Sequence, residues 1–250
     1  MINSLPQSAQ SVIDAYWKLK AAENVYVRCP YFRNPRSGRD RWGLTAYSGK
    51  GSPQEIEDEL RIIEKLENVD FSGMQESEIR DIMRKRKLGI ECSGFIVRVL
   101  DAWTKEFYKK PVYSLLNFKK SGLGWLYSKL RPFTHVDVET LVLPKNAREV
   151  EDMQSIAPGD IIRFNTTIDH AIIVTATERD DSSVLRKIHY AHSVLEDSGE
   201  GVKSGLIEVS GTNKNGSSLW GWQESPDTGH TINEKGSPRI YRLHIMNSSL

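Results

Sequence analysis

Gly89-Ile90-Glu91-Cys92-Ser93-Gly94-Phe95-Ile96-Val97-Arg98-Val99-Leu100-Asp101-Ala102-Trp103 is the stretch on which the reading of this chain turns. A short polar stop precedes the cysteine, and an apolar pattern follows it. Counted from Cys92, apolar side chains fall at Ile96, Val99, Leu100, Trp103 and Phe107. These are steps of three and four, one face of a helix with a 3.6-residue period. Cys92 therefore stands in the first turn of a helix whose later turns grip a core. First-turn N–H groups lack helical partners, and the dipole favours negative charge there. The spacing predicts a thiol more acidic than the ordinary value of about 8.5, and so a thiolate nucleophile. The competing reading is that Cys92 is a small buried apolar residue, the usual place of a single cysteine.

Two histidines downstream favour the chemical reading. Pro158-Gly159-Asp160 is a turn, and Ile161-Ile162-Arg163-Phe164 after it reads as a strand. A polar loop, Asn165 to Asp169, leads to His170-Ala171-Ile172-Ile173-Val174-Thr175, so His170 opens the second strand of a hairpin. A charged turn over 178–183 then leads to Lys187-Ile188-His189-Tyr190-Ala191-His192-Ser193, a third antiparallel strand. Alternation puts Tyr190 and His192 on one face and His189 on the other. A base on one strand, oriented by a partner on its neighbour, is what a cysteine nucleophile needs.

Glu-Cys-Ser-Gly-Phe at a helix start, Pro-Gly-Asp before a strand, Asp-His-Ala-Ile-Ile-Val and Tyr-Ala-His-Ser occur in that order. In this order the chain resembles the NlpC/P60 family of papain-like cysteine peptidases, over roughly residues 76 to 210. The resemblance implies a papain-like α+β core, with an antiparallel sheet packed against the helix that begins at the nucleophile. It implies Cys92 as nucleophile, His170 as base and His192 as the third catalytic member. It implies an amidase or peptidase acting on cell-wall-type peptides through a thioester, with a peptide or muropeptide as partner and no cofactor or metal. Glu91, Ser93 and Tyr190 are the expected substrate-binding residues. Where the family typically carries aspartate before the cysteine, this chain has Glu91, a longer carboxylate at a position associated with holding a substrate amine. Many members place a tyrosine shortly upstream of the cysteine; between Val69 and Ile90 this chain has none.

Three alternatives stay open at this point. The same thioester serves an acyltransferase. Cys92, His170 and His192 could instead be a metal set with an open position. A catalytically inactive binding module would carry the same fold. His189 stands second to His192 for the third catalytic place. His135, His230 and His244 have no motif around them.

The bounds are those of a globular protein. The 250 residues are 38% hydrophobic and 27% charged, with a net charge of +1. That balance gives no electrostatic case for nucleic acid or an anionic membrane. No apolar run approaches the roughly 18 residues of a membrane span. The N-terminus has neither a basic leader nor an apolar signal core, so a cytoplasmic location is expected. Two cysteines, Cys29 and Cys92, could form one bridge, but the catalytic claim on Cys92 is the stronger.

Two parts are expected: an N-terminal helical extension over 1–70, packed on a catalytic domain over 71–250. Residues 8–22 read as a helix, with Val12, Ala15, Tyr16 and Leu19 on one face. Residues 28–50 read as irregular. Ser52-Pro53-Gln54-Glu55 is a capping box with proline at the first helical position. The helix it opens runs to about Glu67, with Ile56, Leu60, Ile63 and Leu66 inward. Another helix starts at Gln75 or Ser77 and is stopped by Gly89 after a basic last turn of Arg84 to Lys87. Trp125, Tyr127 and Phe133 either wall a groove or pack, packing being favoured. Strands are expected over 205–209 and 239–245, with a long polar loop over 210–238 that carries Trp220 and Trp222.

Overall fold

A computed structural model of the chain describes residues 1–33, 45–118, 132–165, 169–195, 201–212, 218–225 and 238–246. The architecture is α+β, with one large antiparallel sheet and helices against one of its faces. Strands β1 (Ile2–Ser4), β4 (Ala147–Glu149), β5 (Ile161–Asn165), β6 (Asp169–Arg179), β7 (Leu185–Val194), β8 (Gly201–Thr212), β9 (Ser218–Ser225) and β10 (Arg239–Leu243) form it. Their order is β4-β10-β5-β6-β7-β8-β9, and β1 pairs with the far end of β6.

The centre of the sheet explains its own sequence. On β6, Ala171 and Ile173 join the large core beneath the helices, while Ile172 and Val174 join a second cluster on the opposite face. With both faces covered, the strand reads as an unbroken apolar run rather than an alternating one. The expected hairpin forms in register, Ile161 opposite Ile173 and Phe164 opposite His170. At its base Gly159 has φ +90°, and a Cβ there would lie 2.4 Å from the Trp103 ring. Glycine lets this turn seat on the indole. The Asp160 carboxylate then accepts from Nε and Nη2 of Arg242, each at 2.7 Å, fixing the turn to β10.

The helices are α1 (Gln7–Trp17), α2 (Pro53–Glu67), α3 (Glu76–Lys85) and α4 (Cys92–Tyr108), with short turns of helix over Pro132–His135 and Val138–Leu141. The capping box of α2 is present in both directions. The α4 stripe of Ile96, Val99, Leu100 and Trp103 is buried as its spacing predicts. Phe107 is not: it is 49% exposed, near the end of the helix where the stripe has rotated away from the sheet. Leu66, one residue before the end of α2, is likewise 76% exposed.

Two expected elements come out differently. The helix expected over 8–22 stops at Trp17, and the chain turns into a hairpin of β2 (Leu19–Ala22) and β3 (Val25–Val27). Asn24 supplies its left-handed turn at φ 59°. Leu19 is buried from a strand, not from a helix face. The polar stretch over 210–238 carries β9, whose Trp222 and Trp220 stand opposite Ile207 and Val209 of β8. The N-terminal region is also more than a helical extension. It adds β1 to the main sheet, and Leu5, Ile13, Tyr16 and Ile56 share one core with α4 and the sheet. Trp125 and Tyr127 lie outside the described residues. Phe133 packs, edge-on to Tyr113 and beneath the Arg98 guanidinium.

Candidate active site

The segment before Cys92 is clamped on three sides. The Ile90 N–H donates to the Pro30 carbonyl at 3.1 Å, and the Glu91 N–H to the Gly49 carbonyl at 3.0 Å. The Ser193 hydroxyl, buried at the end of β7, donates to the Ile90 carbonyl at 2.8 Å. Ser193 directly follows His192, so one pair of adjacent residues fixes both the cysteine loop and a histidine. Gly94 lets the clamp close: a Cβ there would stand 2.2 Å from the Gly49 carbonyl oxygen.

Cys92 begins α4 with Glu91 at the N-cap. The backbone N–H of Ser93 and that of Ala171 on β6 lie near enough to the Cys92 sulfur to favour the ionised form. The second of these seats the sulfur beside the residue that follows His170. The thiol is nonetheless raised to about 11. Burial is the largest cause, and the Glu91 carboxylate adds to it. Lys50 and the two N–H groups oppose them and are outweighed. This overturns the expectation of a preformed thiolate: at 7% exposure, loss of hydration outweighs the helix start. Cys29 is also free and fully buried, and burial pushes its thiol up. No disulfide joins the two.

His170 opens β6 as expected, and its Nε2 lies 2.8 Å from Nδ1 of His192 on β7. The rings meet edge-on with centroids 5.0 Å apart. Phe164 stacks on the outer side of His170 at 6.2 Å. Tyr190 stands edge-on to His192 at 5.6 Å, and His192 is wholly buried. His189 is on the other face, 2.6 Å from Glu178 on the neighbouring strand. The alternation read from the sequence thus separates the two histidines as expected.

The residues expected to meet substrate have internal contacts instead. Ser93 is 3% exposed and Tyr190 is fully buried. Glu91 Oε1 accepts the Ser93 hydroxyl at 2.7 Å and pairs with Lys50 Nζ at 2.6 Å. Lys50 is the residue that sequence reasoning missed. It lies in the stretch read as irregular, two residues before the α2 cap, with no motif to separate it from a surface lysine. Tyr31 is the other. Its backbone bridges Ile90, and its hydroxyl lies close enough to Cys92 and Glu91 for their charges to add to the upward push of burial. A tyrosine near the sulfur is thus supplied from sixty residues upstream rather than from 69–90. Among the described residues, no three His, Cys, Asp or Glu side chains converge to hold a metal ion. Nor is any helix there long and apolar enough to cross a membrane.

No family model matches the chain, and no curated protein matches it.

Proposed function

We propose that this is a cysteine amidase or peptidase of the papain-like, NlpC/P60 type, acting through Cys92, His170 and His192. One observation carries the reading. The Cys92 sulfur lies near enough to the backbone N–H of Ala171 to feel it, and the adjoining His170 is joined at 2.8 Å to the buried His192. A thiol raised to about 11 is almost wholly protonated at neutral pH, so attack needs a base beside it.

In the proposed cycle Cys92 Sγ attacks the carbonyl carbon of a peptide amide as its proton passes to His170. A C–S bond forms, and the Cys92 backbone N–H is the oxyanion donor. The intermediate collapses, the C–N bond breaks, and the amine departs with the proton from His170. Water then gives a proton to His170 and attacks the thioester, the C–S bond breaks, and the thiol is restored. His192 holds the His170 ring in the tautomer and orientation this relay requires. The buried Tyr190 ring packs His192 in place. The substrate class that fits the motif resemblance is a cell-wall-type peptide.

The test is the rate of Cys92 alkylation by iodoacetamide, read by mass spectrometry of the modified peptide. At pH 7 His170→Ala should slow it about 100-fold, the lower range for loss of a general base. Incubation with a peptide library should leave an acyl mass on Cys92. Equal alkylation rates in wild type and His170→Ala would refute the reading.

A further inference from the structure

Lys50 is the least expected group at the site. Its ammonium has three protons, and three acceptors take them: Glu91 Oε1 at 2.6 Å, Ser93 Oγ at 2.5 Å and the Val136 carbonyl at 2.6 Å. The Ser93 hydroxyl closes the ring by donating to Glu91 Oε1 at 2.7 Å. Lys50 is 4% exposed, and burying an ammonium is costly unless it is paired in this way. The backbone is fixed as well. Arg98 Nε donates to the Lys50 carbonyl at 2.9 Å, and Arg98 also pairs with Glu55 of the α2 cap at 2.7 Å.

We infer that Lys50 is a positioning residue of the site: it holds both chain neighbours of Cys92 and cancels the Glu91 charge beside the nucleophile. This rests on the reading of Cys92 as the nucleophile. The charged and titratable groups that act on the sulfur are Glu91 on its own helix start, with Lys50 and Tyr31 from the N-terminal region. Of these, Glu91 opposes ionisation of the thiol and Lys50 favours it. Lys50 also bears on the Asp137 carboxyl, which Thr140 holds from its N–H and hydroxyl. The ring has a consequence for recognition. Glu91 Oε1 already has two partners, so a substrate amine reaches that oxygen only by competing with Lys50.

The experiment is the pH profile of Cys92 alkylation in a set of variants, read on the Cys92 peptide so that Cys29 does not contribute. Lys50→Met leaves the Glu91 carboxylate without its partner, and the midpoint should rise by about one pH unit. Glu91→Gln should lower it by about one unit. The double variant should return close to wild type, and Lys50→Arg should keep the wild-type midpoint. If Lys50→Met does not fold, Glu91→Gln alone decides: a midpoint within 0.3 pH units of wild type, as a rough reading error, overturns the inference. So does a folded Lys50→Met with an unshifted profile. Failure of the peptidase reading looks different, because it leaves His170→Ala without effect whatever Lys50 does.

Discussion

Gly94→Ala sets two effects of known sign against each other. Alanine is the better helix former by about 1 kcal/mol in a helix interior, so propensity alone stabilises the variant. Contact opposes it. The new Cβ would lie 2.2 Å from the Gly49 carbonyl oxygen and 3.0 Å from both Ile90 Cδ1 and Lys50 Cδ. Ordinary contacts are about 3.5 Å, so the Gly49 peptide must retreat by roughly 1 Å. It is backbone, held by the Glu91 N–H at 3.0 Å and followed by Lys50, so it cannot simply rotate aside. Overpacking of this kind costs about 1–3 kcal/mol, and the lost hydrogen bond about 1 kcal/mol more.

Contact therefore wins, with a net loss of about 2 kcal/mol. For a chain of this size that lowers Tm by about 4–8 °C. Urea unfolding followed by circular dichroism gives the first number and a thermal melt the second. Because the retreat pulls Lys50 from Glu91, Cys92 alkylation at pH 8 should slow as well. A Gly94→Ala protein as stable as wild type, or more so, would refute the reasoning: propensity would have won and the clamp would not be rigid.

The Asp160–Arg242 pair gives a second stability prediction. Asp160 is 1% and the Arg242 side chain 12% exposed, so Asp160→Asn leaves a largely buried guanidinium without its counter-charge. The expected loss is about 3 kcal/mol in denaturant unfolding; under 1 kcal/mol would show that the pair contributes little, as for exposed bridges. The buried thiols predict an alkaline decline. Both are raised in the folded chain above an unfolded value of about 8.5, so their contribution is complete below that pH and lost above it. Each raised thiol adds about 1.4 kcal/mol of instability per pH unit. Between pH 8 and 10 Cys29→Ala should therefore lose about 2 kcal/mol less than wild type, and equal slopes would refute the assignment.

What was legible in the sequence was whatever obeys a local period or a local cap. The Ser52–Glu55 box needs only four residues to specify itself, and it forms. The Phe164/His170 hairpin and the Tyr190/His192 face follow from alternation, and both stand in the structure. The failures come from contacts that no single helix or strand period encodes. No period in 8–22 says that the helix must end at Trp17; the Asn24 turn and the burial of Leu19 on a strand decide it. Strand β9 is assembled by pairing with β8, and its own stretch reads as polar loop. Lys50 and Tyr31 become site residues only because residues 30–32 and 49–50 close on Ile90 and Glu91.

The thiol itself shows where sequence rules invert. A cysteine at a helix start was expected to be acidic because unpaired N–H groups and the dipole face it. The helix-start N–H of Ser93 is present near the sulfur, joined by that of Ala171 on β6. They are outweighed because the stripe that makes α4 a good core helix also draws its first turn under the clamp and strips the sulfur of water. The Glu91 carboxylate then adds an adverse charge, and Lys50 answers it. A thiol buried in this way rests protonated, and under the proposed reading it depends on its base at the moment of attack. That dependence predicts a Cys92 alkylation rate governed by the His170–His192 pair near neutral pH, in contrast to a thiolate that needs no partner.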